Sequence, residues 1–299
     1  MSKSGLIGAV EAGGTKFVLA LATPEGEVLA RTRMPTNTPA ETWPAMEAFF
    51  REESARHGAI AAFGVASFGP IDIDPASSAY GTFTTTPKPG WPGARFHDPL
   101  SGFGAPIMVD TDVNGAAIGE WMAGAGQGCR TVAYTTIGTG VGTGIVQDGH
   151  SLMGLSHFES GHILPQHDRA RDPFPGICPF HNDCLEGLAC GPAIERRWGR
   201  SLDQLGQDEV ELVADYIAHL ASTLVLLHMP DRLIFGGGVM KAPGLIEAVR
   251  VATAEKLNGY VQHPRLDAGL KSYIVTPGLG DDAGITGAIE LGRQALMRM

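Results

Sequence analysis

The sequence predicts an α/β protein of two domains built by duplication, with a metal-binding insertion in the second. Three observations carry this prediction. Apolar segments at residues 5–12 and 15–22 flank a Gly-Gly turn, and apolar segments at 130–137 and 141–146 flank a Gly-Thr-Gly turn. Each pair opens an alternation of helical and strand patterns, so the two halves share one order although few residues match between them. Residues 159–186 then interrupt the second half with a cluster of Cys, His and Glu. A chain of 299 residues is long enough for about two domains with a sizeable core.

The elements follow in order. Residues 5–12 are apolar and read as a buried strand, Gly13-Gly14 as a turn, and 15–22 as a second strand. Pro24 to Glu27 makes another turn, and 28–34 a third strand. Residues 39–57 have helical spacing with Pro39 at the start, and 59–67 is a strand. Residues 69–104 are rich in Gly, Pro, Ser and Thr, and a loop of that length in a compact domain usually serves function. A strand at 106–110 and a helix at about 113–123 complete the first half. In the second half, strands at 130–137 and 141–146 precede a third beginning near Leu152. Helices are expected at about 191–199, 208–229, 242–257 and 283–297, and strands at 233–235 and 272–275. The domain break falls near residue 111. It gives a small domain of residues 1–111, rejoined by a final helix at about 285–299, and a large domain of residues 112–284, with a cleft between the two.

Composition excludes several classes. The formal net charge is −10 with no Lys/Arg run, which argues against nucleic acid or an anionic membrane as partner. Apolar residues at 43% and charged residues at 18% are ordinary for a globular protein. The first apolar region is broken by Glu11 and Lys16, so no signal peptide is expected, and no apolar run reaches the length of a membrane span. Four Cys do not make a disulfide framework, and Cys129 and Cys190 read as buried packing residues. A cytoplasmic protein is expected.

The Cys/His cluster is the densest chemistry in the chain. Cys178, His181 and Cys184 are spaced Cys-x₂-His-x₂-Cys, and His162 lies sixteen positions upstream of Cys178. Two thiolates and two imidazoles suit a closed tetrahedral Zn²⁺ site. The alternatives are a disulfide between Cys178 and Cys184, or small buried side chains, and His157 or His167 in place of His162 as fourth ligand. A metal here would pin the loop and fix Glu159 and Glu186. These two carboxylates suit a polyol, with His162 binding metal through one ring nitrogen and substrate through the other, or they support the metal ligands.

Two Gly/Thr turns stand at corresponding places, residues 11–16 and 135–144. Glycine lets the backbone approach a ligand, successive N–H groups can face an anion, and Thr adds hydroxyl donors. Facing each other, such hairpins would clasp the phosphates of a nucleotide. There is no Walker-type phosphate loop and no G-x-G-x-x-G in either turn. Gly236-Gly237-Gly238 is a third point of close approach, suited either to lie under an adenosine or to be a plain strand-to-helix turn. Residues 110–114 end a strand and open a helix. Asp112 there suits an N-cap kept ionised by the helix dipole. It equally suits a base taking the proton of a hydroxyl during phosphoryl transfer, because ligands bind at strand ends in α/β sheets.

Taken together these residues resemble the ROK family of sugar kinases, within the actin/hexokinase-like superfamily. The likeness rests on residues 11–16, 111–117, 136–140, 159–162 and 178–186, in order and spacing, and covers nearly the whole chain. It implies a duplicated actin-like ATPase (ribonuclease H-like) fold, ATP, Mg²⁺, a structural Zn²⁺, and domain closure over a sugar. It implies Asp112 as general base, with Gly81, Thr111, Glu159, His162 and Glu186 at the sugar. ATP would meet Gly13, Gly14, Thr15, Lys16, Thr136, Gly138 and Thr139, with Pro192, Gly236, Gly237 and Gly238 near the nucleotide. Zinc would be held by His162, Cys178, His181 and Cys184, and the protein would be a homodimer. Three departures stand out: Glu11 where many members have Asp, His181 where most have Cys, and Thr111 where glucose-type members have Asn. Gly69-Pro70-Ile71-Asp72, Tyr80-Gly81, the stretch Thr86-Pro87-Lys88-Pro89-Gly90-Trp91 and the Cys178–Cys184 loop resemble the bacterial fructokinase branch, which implies fructose phosphorylated at its 6-hydroxyl. Other substrates in the family are glucose, mannose and N-acetylmannosamine. Family members that are repressors carry an N-terminal helix-turn-helix, for which a first strand at residue 5 leaves no room, and a non-catalytic sugar-binding regulator would lack a use for Asp112.

Overall fold

A computed structural model describes residues 5–86, 88–266 and 268–298. Pro87 of the fructokinase-like stretch and Met299 of the final expected helix lie outside the described residues. Contacts divide the chain into two units, one of Met1–Gly124, Ser151–His157 and Asp281–Met299, the other of Ala125–His150 and Phe158–Gly280.

The first unit contains β1 (Leu6–Ala12), β2 (Lys16–Ala22), β3 (Val28–Pro35), α1 (Pro39–His57), β4 (Ile60–Ser67), α2 (His97–Leu100), β5 (Ile107–Thr111) and α3 (Asp112–Ala123). Its sheet runs β3-β2-β1-β4-β5. β1 pairs antiparallel with β2 and parallel with β4, and β4 pairs parallel with β5. Strand burial follows position. Central β1 and its neighbours are almost wholly buried, whereas edge strand β3 alternates half-buried and exposed residues. α1 starts where Pro39 supplies a helical φ and the Glu41 carboxylate accepts from the Thr38 N–H at 3.3 Å and hydroxyl at 2.9 Å.

The second unit contains β6 (Thr131–Ile137), β7 (Val141–Gln147), β8 (His150–Ser151, whose second residue groups with the first unit), α4 (Leu185–Ala189), α5 (Gly191–Trp198), α6 (Gln207–His228), β9 (Arg232–Gly236), α7 (Leu245–Leu257) and β10 (Ile274–Val275). Its sheet runs β10-β9-β6-β7-β8. β6 pairs antiparallel with β7 and parallel with β9, which pairs parallel with β10. Counting each half's strands from its own start, both sheets have the order 3-2-1-4-5, which is the duplication expected from the sequence. The last helix, α8 (Ala283–Met297), returns to the first unit and packs on β1, β4 and α3. Its contact with α3 is backbone on backbone: a side chain on Gly287 would run into the Gly115 main chain.

Several details differ from the sequence expectation. α3 groups with the first unit, which runs to Gly124. The expected helix at 242–257 begins at Leu245, because Gly244 turns left-handed at φ 78° and residues Val239–Lys241 form a separate 3₁₀ turn. The strand expected to begin near Leu152 is instead a short one ending at Ser151. α6 is, by length and composition alone, apolar enough to cross a membrane, contrary to the reading that no run is. About two-thirds of that stretch (67%) is buried, against partners that include α7 and α4, so the burial is inside the fold. The long segment 69–104 is held by its aromatic side chains. Phe83, Trp91 and Phe96 are fully buried, Trp91 lies 4.8 Å from Phe83 and 5.0 Å from Trp43 between ring centres, and its Nε1 donates to the Asn37 carbonyl at 2.9 Å.

Candidate active site

In the first unit the β1–β2 turn is fixed from three sides. Gly13 N–H donates to the Lys16 carbonyl at 2.9 Å, the Thr36 hydroxyl to the Gly13 carbonyl at 2.7 Å, and Lys88 Nζ to the Gly14 carbonyl at 2.6 Å. Gly14, Thr15 and Lys16 are exposed, and a Cβ added to Gly14 would meet nothing within 4 Å. The turn therefore presents a fixed backbone with open space beside it. Gly81 turns left-handed at φ 76° in the 69–104 segment. Its N–H bonds the Asp72 carbonyl and its carbonyl accepts from Phe96, so it shapes that segment with both main-chain groups engaged.

Glu11 lies at the C-terminal end of β1. Its Oε2 is buried with no hydrogen-bond partner, and burial pushes the carboxyl up to about 7. Lys16 and Arg31 oppose the rise, while the charges of Asp112 and Asp282 add to it. A buried carboxylate oxygen with no donor suits a cation, so this residue fits a Mg²⁺ ion carried with phosphates.

Asp112 opens α3, but it is not the N-cap. Thr111 takes that place, its Oγ1 accepting the Asn114 N–H at 3.2 Å. Asp112 Oδ1 instead accepts the Val113 N–H at 2.8 Å. Burial pushes the Asp112 carboxyl above the usual range, against that backbone bond and the charge of His157. The helix end is therefore not the only influence on this carboxyl, because surrounding protein displaces more water than one N–H replaces. Raised basicity is what a proton acceptor needs.

Sequence reasoning passed over Asp110, two residues before. Its carboxylate is buried and accepts from the Ser151 hydroxyl at 2.6 Å, the Asn114 amide at 2.6 Å and the Thr111 N–H at 2.7 Å. It ties the end of β5 to the first turn of α3, and so braces Asp112 from behind. The i, i+4 spacing of Asp110 and Asn114 was the available signal.

In the second unit three segments converge on the β6–β7 turn. Gly138 N–H donates to the Gly140 carbonyl at 2.9 Å, and Gly191 N–H, at the start of α5, donates to the Gly138 carbonyl at 2.7 Å. Gly237, at φ 93°, packs so closely on Ile137 that an added Cβ would lie 2.6 Å from its backbone nitrogen. The structure thus brings Thr136, Gly138, Thr139, Pro192 and Gly236–Gly238 to one end of this sheet. Thr136 is half-buried, and Thr139 and Pro192 are exposed.

The metal-like loop docks on the same turn. Glu186 Oε2 accepts the Val141 N–H at 3.0 Å, and Gly161 sits against the Val141 backbone with no room for a side chain. Glu159 is exposed, and its carbonyl accepts the His162 N–H at 3.0 Å. The donor atoms of His162, Cys178, His181 and Cys184 all lie within 4.8 Å of one another. His162 Nδ1 is 3.4 Å from Cys184 Sγ and 3.8 Å from Cys178 Sγ, and His181 Nδ1 is 3.6 Å from Cys178 Sγ. A tetrahedral Zn²⁺ with ordinary Zn–S and Zn–N bonds holds its ligands roughly 3.3–3.8 Å apart, so the four residues fit that ion. The cysteines are free rather than paired. His167 does not compete, since its Nδ1 pairs with Asp183 at 3.0 Å and its Nε2 with the Asp172 carbonyl at 2.9 Å. His157 lies beside Ser156 instead, 3.0 Å from its hydroxyl.

Comparison with known proteins gives a consistent answer. The model of the ROK family matches residues 7–295. The chain is 44% identical to the fructokinase of Zymomonas mobilis, covering 97% of each chain. It is 42% identical to the fructokinase of Pediococcus pentosaceus, covering 97% of this chain and 99% of the relative. Among solved structures, the ROK hexokinase of Thermus thermophilus superposes with a TM-score of 0.80 at 25% identity, covering 98% of this chain and 100% of that one. The ROK glucokinase of Streptomyces griseus, in complex with glucose and AMPPNP, gives 0.74 at 25% identity, covering 97% and 100%. With a family match of that extent and relatives of that identity over nearly their full length, the chain belongs to the ROK family.

Proposed function

We propose that this protein is an ATP-dependent fructokinase, transferring the γ-phosphoryl group of ATP to the 6-hydroxyl of D-fructose. The observation that carries this reading is the 44% identity to a fructokinase over 97% of both chains. Asp112 acts as general base. It takes the proton of the 6-hydroxyl as that oxygen bonds to the γ-phosphorus, while the bond from that phosphorus to the leaving oxygen of ADP breaks. Support comes from the raised basicity of its half-buried carboxyl and from the brace behind it. Thr111, Glu159, His162 and Glu186 bind fructose hydroxyls, with Gly81 shaping the site. His162 has Nε2 to offer, because Nδ1 faces the cysteines.

Gly13, Gly14, Thr15, Lys16, Thr136, Gly138 and Thr139 receive the phosphates, and Pro192 with Gly236, Gly237 and Gly238 receives the rest of the nucleotide. Glu11 holds Mg²⁺, which when bound neutralises phosphate charge. Zn²⁺ on His162, Cys178, His181 and Cys184 is structural and fixes the loop that carries Glu186. We place the enzyme in the cytoplasm as a homodimer; four cysteines with no disulfide between them fit a reducing compartment.

The test is ADP release with fructose, mannose, glucose and N-acetylmannosamine as separate acceptors. Fructose is expected to give the highest kcat/KM. A higher value for another hexose would reassign the substrate, and no turnover with any of them would make the protein a sugar-binding regulator instead.

A further inference from the structure

The β1–β2 turn is polarised by its neighbours. The carbonyls of Gly13, Gly14 and Thr15 are all engaged. The Thr36 hydroxyl donates to the Gly13 carbonyl at 2.7 Å, the Thr36 N–H to the Thr15 carbonyl at 3.0 Å, and Lys88 Nζ to the Gly14 carbonyl at 2.6 Å. The N–H groups of Gly14 and Thr15, by contrast, donate to nothing among the described residues, and both residues are exposed. Successive N–H groups left open where the carbonyls are engaged suit an anion.

Two of these three bonds come from neutral groups of Thr36, and a neutral donor is enough to hold a carbonyl. The third comes from a full positive charge 74 positions away in the chain. Buried neighbours place it there. The Lys88 N–H donates to Thr86 Oγ1 at 3.4 Å and the Lys88 carbonyl accepts the Trp91 N–H at 3.2 Å. Thr86 and Trp91 are both buried, and Lys88 itself is half-buried. Arg31 in the same unit is answered by Asp282 at 2.6 Å, but among the described residues no carboxylate pairs with Lys88. An ammonium has three donors. One holds Gly14, and two remain beside the open N–H groups of the turn. A charge fixed by the fold with no anion of its own fits an anion that a ligand brings.

We infer that Lys88 is a catalytic residue whose ammonium, held at Gly14, donates to the γ-phosphoryl group of the bound nucleotide. The inference rests on the kinase reading above and adds to it the side chain that meets the transferred group. Glu11, at the end of β1, feels the charges of both Lys16 in the turn and Asp112, so the end of the nucleotide that reaches this turn is the end that reacts. As the sugar oxygen bonds to the γ-phosphorus and the bond to the ADP oxygen breaks, Lys88 faces the charge on the phosphoryl oxygens and keeps its own proton. Its bond to Gly14 sets that charge in place before the nucleotide arrives.

The experiment compares the binding of ADP and of AMPPNP, which differ by the γ-phosphoryl group, measured by calorimetry with Mg²⁺ present. Wild type is set against Lys88→Gln, which keeps a neutral donor for the Gly14 carbonyl. Lys88→Met, which has no donor, is the second variant and serves if Lys88→Gln does not fold, as a melting curve would show. Wild type is expected to bind both nucleotides. Each folded variant is expected to bind AMPPNP about tenfold or more weakly and ADP within about twofold of wild type, with kcat on fructose lower by about 10²-fold. A lysine that only braces the turn would weaken both nucleotides alike or neither, and either pattern overturns the proposal. Wild type that binds neither nucleotide overturns the kinase reading, and the proposal falls with it.

Discussion

Glu11 shows what a single buried carboxyl costs and what it offers. Its folded pKa of about 7 lies above the ordinary 4.5, so the folded protein holds its proton more tightly than the unfolded chain. The stability it permits is whole below about pH 4.5, falls as pH rises toward 7, and stays reduced above. Glu11→Gln keeps the shape and removes the charge. It should stabilise the protein at pH 8 by up to about 3 kcal/mol and change little at pH 4.5, as thermal denaturation at the two pH values would show. An equal effect at both would mean that Glu11 is not buried as a charge. The same variant should weaken Mg²⁺ binding, measured directly by calorimetry in the presence of ADP. At this scale the sequence was legible where chemistry is dense: the Cys/His quartet that the fold brings together announces itself by type and spacing. Asp110 was not, because one of its three donors, Ser151, lies 41 positions away, and nothing local marks that partnership.

At the scale of elements, the strand pairs and most helices were legible from apolar runs, turn glycines and Pro39 at the start of α1. The segment 69–104 was not, because side-chain packing rather than periodicity orders it. Trp91→Ala should therefore cost about 3–5 kcal/mol, measured by denaturant unfolding, whereas a loss under 1 kcal/mol would mean that the segment is not part of the core. The turn at Gly237 makes a second test. Its φ of 93° and its contact with Ile137 exclude a side chain, so Gly237→Ala should raise the KM for ATP and lower Tm. An unchanged KM would detach this turn from the nucleotide. The metal-like loop makes a third. Cys178→Ser should reduce zinc content, measured by elemental analysis, and raise the KM for sugar more than that for ATP, since the loop carries Glu186 and His162. Full zinc content in that variant would remove Cys178 from the ligand set.

At the scale of the molecule, the repeated strand order 3-2-1-4-5 was readable as a duplication because each half announces its first hairpin with a Gly/Thr turn. What the sequence placed less well was where one unit stops. α3 stays with the first sheet because its glycines allow contact with α8, a helix more than 160 positions later in the chain, and no local pattern encodes that. The whole account depends on Asp112 removing a proton from a sugar hydroxyl. The most direct measurement is ADP release from ATP with fructose, comparing wild type with Asp112→Asn, each checked for folding by its melting curve. The account predicts turnover by wild type and a loss of about 10²–10⁴-fold in kcat for the variant, with Tm maintained or raised. Near-wild-type turnover by a folded Asp112→Asn would contradict it.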